Sequence, residues 1–169
     1  MRMAALVAAL FLHGSALASP MSGLQPVGQG RLSWLGFGAY DAALYAPAGF
    51  RASQFARHPF ALELAYLRPF KAGDIADRSI AEMRRAGGFS DGDADRWRTA
   101  LERVLPDVKP GDRITGVNEP GQGARFLVNG RDAGAIEDPR FAVLFFSIWL
   151  GPATSQPALR RELLSGAAP

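Results

Sequence analysis

Residues 112–136, DRITGVNEPGQGARFLVNGRDAGAI, decide the fold. Asn129-Gly130 is a strong hairpin signal, because both central residues of a type I′ turn need positive φ. The stretches 124–128 and 132–136 flank it as strands, and Pro120-Gly121-Gln122-Gly123 turns the chain back from a third strand over 112–119. Connections this short make an antiparallel meander, since parallel neighbours need a crossover of roughly a dozen residues or more.

Working outward, 60–67 (FALELAYL) alternates strictly and puts Phe60, Leu62, Leu64 and Tyr66 on one face of a half-buried strand. Residues 31–35 and 39–46 also read as strands, with Gly36-Phe37-Gly38 as a bulge or kink between them and 19–29 as a Pro/Gly/Ser-rich lead-in. Asp74 is expected to cap a helix carrying Ile75, Ile80, Met83 and Ala86, stopped by Gly87-Gly88. Ser90 and Asp93 form a capping-box variant ahead of a helix whose Trp97, Leu101, Val104 and Leu105 share one face. Asp138-Pro139 opens a helix over 141–150 (FAVLFFSIWL) that is apolar on nearly every side and so must be buried. A last helix over 157–164 is expected behind a Ser155 cap. Three strands, two helices, three strands and two helices are not a βαβ alternation, so the expected class is α+β: an antiparallel sheet with helices on one face.

Composition agrees. Nineteen Gly and twelve Pro in 169 residues suit a sheet with many turns rather than a helical bundle. The absence of Cys excludes disulfides, thiolate catalysis and Cys-based metal sites. His13 and His58 are the only histidines, and His58, held extended ahead of Pro59, reads as a solvent-exposed loop residue. The net charge is +3, but the arginines interleave with carboxylates, as in Asp77-Arg78 and Asp112-Arg113, so a mixed solvated surface is expected and no nucleic-acid partner. Gly28-Gln29-Gly30 and Gly121-Gln122-Gly123 open no βαβ unit and read as turn glycines, not phosphate loops. Asp91, Asp93 and Asp95 lack the distant Glu of a calcium loop and are explained by helix capping, so no metal or other cofactor is expected.

Residues 1–18, MRMAALVAALFLHGSALA, have the basic start, apolar stretch and small-x-small end of a cleavable signal peptide. The apolar stretch is about half the roughly twenty residues that span a bilayer, so no stable membrane anchor is expected. The expectation is therefore a periplasmic protein with one domain over 19–169. Ser147 is the one hydroxyl in the apolar helix 141–150. It either bonds back to the Val143 carbonyl or faces a ligand cleft.

The segments GQGRLSWLGFGAYDAALYA, DIADRSIAEMRRAG and FLVNGRDAGAIEDPRFAVLFFSIWLG, in this order, make the chain resemble the chalcone isomerase-like family, in its exported bacterial branch. The resemblance implies an open-faced β-sandwich, a large antiparallel sheet with a helical layer on one face and a cleft between. In the plant enzymes an Arg and a hydroxyl network in that cleft close a flavanone ring. Non-catalytic plastid relatives hold a fatty acid there by an Arg and a Tyr. Position by position, Ser22, Gly23 and Leu24 stand where the catalytic Arg belongs, Leu35 replaces a strand Thr, and the Tyr and Asn of the first helix fall near Ala72 and Ser79. The late-helix hydroxyl is kept as Ser147.

Without that Arg nothing stabilises a phenolate or a developing enolate, so the expected protein is non-catalytic and no catalytic residue is assigned. It is expected to bind a small apolar or amphipathic, fatty-acid-like ligand through Leu35, Tyr40, Arg78, Ser79, Met83, Phe145 and Ser147. Two alternatives stand beside this. One is an isomerase or intramolecular lyase with a non-standard site, such as Arg78 with Tyr40 or Tyr66. The other is an envelope interaction module with a filled cleft, whose protein partner is unknown. An open apolar cavity on the order of 300 Å³ or more favours the first two, and side chains filling the cleft favour the third.

Overall fold

The computed structural model describes residues 20–169. The leader expected over 1–18, with its cleavage site and His13, lies outside the described residues. One antiparallel sheet runs in sequence order, each strand paired with its chain neighbours. Its strands are β1 (Gln25–Trp34), β2 (Phe37–Ala46), β3 (Phe60–Tyr66), β4 (Arg113–Glu119), β5 (Gly123–Val128) and β6 (Arg131–Ile136). Helices α1 (Ala72–Ala86) and α2 (Asp91–Val104) are inserted between β3 and β4, while α3 (Pro139–Leu150) and α4 (Pro157–Leu163) follow β6. A 3-10 segment, Ala52–Arg57, links β2 to β3. This is the α+β open-faced sandwich expected from the sequence.

The meander forms as its turns dictate, with Asn129 at φ +50° and Gly130 at φ +78° between β5 and β6. Alternation then sorts the faces. Phe60, Leu62, Leu64 and Tyr66 of β3 point to the helices and join one core with Trp97, Leu101, Val104, Phe141, Phe145 and Phe146. Gly116 of β4 leaves room for the Phe146 ring, which would lie 3.1 Å from a Cβ placed there. On the opposite face Ala61, Val117 and Leu127 form a smaller cluster under Met21, Leu24 and Tyr45.

Several elements depart from the sequence reading. Gly28 and Gly30 lie inside β1, not in a turn. A Cβ on Gly28 would sit 2.2 Å from the Glu162 carbonyl oxygen, and one on Gly30 2.8 Å from Leu159 Cδ1. The missing side chains are thus the surface on which α4 rests. Leu35 and Gly36, at φ +51° and +78°, make a hairpin turn where a bulge was expected. Helix α1 starts at Ala72, and its cap is remote: Asp107 accepts from the Ala72 N–H at 2.9 Å and from Lys71 Nζ at 2.7 Å. The expected Ser155 cap is not made: no side chain caps α4, and Thr154 Oγ1 accepts from the N–H of Gln156, the residue just ahead of the helix, at 3.1 Å. His58 is half-buried, its ring edge-on to Phe50 at 5.7 Å.

The other caps are those expected. Ser90 Oγ accepts from the Asp93 N–H, and Asp138 accepts from the N–H groups of Arg140 and Phe141. Asp138 also takes the Trp97 indole N–H at 2.8 Å, which ties α2 to the start of α3.

Candidate functional site

The antiparallel register sets Tyr40 of β2 opposite Tyr66 of β3, with ring centroids 5.8 Å apart and edge to face. Trp149, on the last turn of α3, donates its indole N–H to Tyr40 Oη at 2.9 Å. Helix α1 lies near enough for the charges of its Arg78 and Glu82 to act on the Tyr40 phenol. Its buried face carries Ala76, Ser79, Glu82 and Met83, so a glutamate stands where an apolar residue is usual.

Glu82 is 9% exposed. One turn earlier, the largely exposed Arg78 reaches in, Nη2 to Glu82 Oε1 at 2.7 Å, as an i,i+4 pair. The other carboxylate oxygen, Oε2, is sealed from solvent and has no hydrogen-bond partner among the described residues. Arg85 Nε stands 3.8 Å from it, adding charge but no hydrogen bond.

Burial pushes the Tyr40 phenol up to about 12, with the Trp149 hydrogen bond opposing, the Glu82 charge assisting and the Arg78 charge opposing. Burial raises Tyr66 as well, and Tyr40 adds to the shift. Both phenols therefore stay neutral near neutral pH, where they donate hydrogen bonds and serve poorly as general bases. Two neutral phenols, an ion pair that bridges solvent and interior, and one unfilled acceptor make an arrangement suited to holding a polar head group.

The space beside it is filled by rings. Phe145 lies 5.2 to 5.4 Å, centroid to centroid, from Phe126, Phe141, Phe146 and Trp149. Two concavities, of about 290 and 460 Å³, lie elsewhere, along β5–β6 near Glu119 and Arg125 and at the turn around Asn129. Among the described residues no group of three or more His, Cys, Asp or Glu is placed to hold a metal ion. No described helix is long and apolar enough to cross a membrane.

The family model described as chalcone isomerase-like matches residues 22–165. The chain belongs to the chalcone isomerase-like family. Among solved structures, the crystal structure of an Arabidopsis thaliana fatty-acid binding protein is similar, with a TM-score of 0.66 and 15% identity over 85% of this chain and 87% of that one. At that identity the likeness is one of fold. No curated protein matches the sequence.

In this chalcone isomerase-like chain the residues expected to line the cleft separate into three pairs and one outlier. Tyr40 and Arg78 belong to the cluster just described, Arg78 through Glu82. Met83 and Phe145 are buried between the layers. Ser79 and Ser147 spend their hydroxyls on their own helices, donating to the carbonyls of Ile75 and Val143, each at 2.7 Å. Ser147 thus takes the back-bonded of its two readings. Leu35 is no part of the interior: it sits at the β1–β2 hairpin tip, 79% exposed, because the turn at Leu35-Gly36 swings it outward. Sequence reasoning missed Glu82 and Trp149. Glu82 had a signal, three residues after Ser79 and directly before Met83 on the buried stripe of α1. Trp149 had none, since its partner lies 109 residues away.

Proposed function

We propose that the protein is an exported, non-catalytic member of the bacterial branch of the family that binds one small amphipathic ligand. The polar head sits among Tyr40, Tyr66, Glu82 and Arg78, and the tail enters between the β2–β3 side of the sheet and α1 and α3. The unfilled Oε2 of Glu82, sealed from solvent, is the observation that carries this reading. A buried polar atom without a partner is costly, on the order of 1–3 kcal/mol, and a ligand that satisfies it removes the penalty. The family and a fatty-acid binding protein of the same fold support it. The raised phenols and the absence of the family's Arg near Gly23 weigh against ring closure.

Titration of the lipid-stripped protein with n-decanol and n-decanoate, followed by tryptophan emission and calorimetry, tests the reading. Saturable one-to-one binding of at least one of them is expected, and the absence of any would refute it. Export is tested by N-terminal sequencing of the protein recovered from an expressing bacterium. A start at Ser19 is expected, and retention of Met1 excludes it.

A second reading, an interaction module, is favoured by the ring-filled interior and by Leu35 and Phe37, which stand 79% and 65% exposed at one hairpin. It becomes the leading account if neither amphiphile binds.

A further inference from the structure

We infer that the tip of the β1–β2 hairpin docks on an anionic lipid bilayer, Leu35 and Phe37 entering its surface while Arg68 meets its phosphates. This stands apart from the ligand reading above, and either can fail without the other.

The chain builds one two-residue turn twice. Asn129-Gly130, between β5 and β6, has φ values of +50° and +78°, and Leu35-Gly36, between β1 and β2, has +51° and +78°. Asn is at ease at positive φ, whereas the Cβ of a Leu is crowded there. The first hairpin therefore keeps a backbone strain that Asn would relieve, and holds a leucine out in water. Strain kept against an easier local choice points to a use for the side chain. Phe37 stands beside it, so the two most exposed large apolar side chains among the described residues share one tip.

Arg68 supplies the charge. The Leu67 N–H donates to the Ala39 carbonyl at 3.0 Å, which fixes the chain beyond β3 next to the start of β2. From there the Arg68 guanidinium reaches the Phe37 ring, 5.5 Å from its centre. It makes no ion pair among the described residues, whereas Arg31 is held by Asp41, Lys71 by Asp107 and Arg113 by Glu63. An uncommitted cation over an apolar tip matches a surface with anionic groups outside and hydrocarbon beneath. A protein partner fits less well. A specific protein interface takes about 20–30 residues a side and a complementary shape, while a projecting tip needs only a fluid surface to enter.

The test is co-sedimentation of the full chain with vesicles of phosphatidylcholine alone and of phosphatidylcholine mixed equally with phosphatidylglycerol. The wild type is expected to prefer the mixed vesicles. Arg68→Gln should weaken that binding about fivefold, the share of one basic side chain near an anionic surface. Leu35→Asn should weaken it about tenfold or more, through the apolar burial it loses, yet melt no lower than the wild type because it relieves the turn. The sequence has no Cys, so a single thiol can carry an environment-sensitive dye. At Ser33→Cys, exposed beside the tip, the dye should shift to the blue on mixed vesicles; at Gln122→Cys, exposed at the opposite end of the sheet, it should not. A Ser33→Cys dye that stays unshifted, as it would if the apolar stretch within 1–18 inserted instead, overturns the proposal. So does equal binding to the two kinds of vesicle, or equal binding by the wild type, Arg68→Gln and Leu35→Asn. Self-association that Leu35→Asn abolishes, without any vesicle binding, also overturns it and makes the occupant of the tip a second copy of the chain.

Discussion

Replacing Glu82 by Met is expected to make the protein more stable, and the reasoning can be followed atom by atom. Leaving a buried polar atom without a partner costs about 1–3 kcal/mol, and Oε2 is such an atom. The substitution also removes the Arg78–Glu82 pair. With Arg78 71% exposed and Glu82 10%, that guanidinium returns to water, and an i,i+4 pair screened on its arginine side contributes on the order of 0.5–1 kcal/mol. The strong destabilisation that follows when a fully buried ion pair loses one partner does not apply here, because the partner left behind is not buried. Met and Glu have nearly equal helix propensity, and the thioether fits the apolar face next to Met83. The balance is a gain of about 1–2 kcal/mol. For a chain of this size that is a rise in Tm of about 2–8 °C. Urea unfolding with an unchanged m-value, paired with calorimetry on the same preparation, measures it. A loss of about 1 kcal/mol or more would show that the carboxylate anchors α1 and that Oε2 has a partner in solution, which would sink the reasoning.

Gly28→Ala should cost about 1–3 kcal/mol in urea unfolding, because its Cβ would lie 2.2 Å from a backbone carbonyl of α4; Gly88→Ala, with nothing within 4 Å, should change stability by no more than about 1 kcal/mol. Equal effects at the two sites would show that α4 does not rest on β1 as described. Asp112 is held down to about 2 by hydrogen bonds from Lys109 Nζ, the Lys109 N–H and Asn129 Nδ2. Its stabilising contribution is therefore complete above the unfolded carboxylate value of about 4 and is lost as pH falls towards 2, and an NMR titration placing its midpoint near 4 would contradict this. For Tyr40 the sign is opposite. Its raised phenol stabilises the fold fully below the unfolded value of about 10, and the contribution is lost as pH rises through about 12, so a UV difference titration should show Tyr40 protonated until the chain unfolds.

Local chemistry made most of the fold legible. The turn between β5 and β6 needs only Asn129-Gly130, the start of α2 only Ser90 and Asp93, and the core face of β3 only its alternation. Where the sequence misled, the deciding contact was distant. Gly28 and Gly30 look like turn residues until α4 is seen against them, and Asp107 caps α1 across 35 residues. The site was less legible than the fold for the same reason. Tyr40, Glu82 and Trp149 stand on a strand and two helices, each following its own local pattern, and only the packing of the layers brings them together. The serines attracted attention as isolated hydroxyls, yet an isolated hydroxyl on a helix finds its nearest acceptor in the preceding turn.

The seat of α4 on β1 has a consequence for the edge of the sheet. Beyond α4 the chain continues to the same strand, where the Gly166 N–H donates to the Val27 carbonyl at 2.9 Å, beside the irregularity between Pro26 and Gly28. Strand β1 is therefore covered by a segment far downstream of it in the sequence. A chain lacking residues 157–169 could build the meander and stack α1 to α3 upon it, but would leave β1 a glycine-bearing edge with one face bare. A chain in which residues 157–169 are missing or undocked therefore stays open at an edge that invites pairing with other chains.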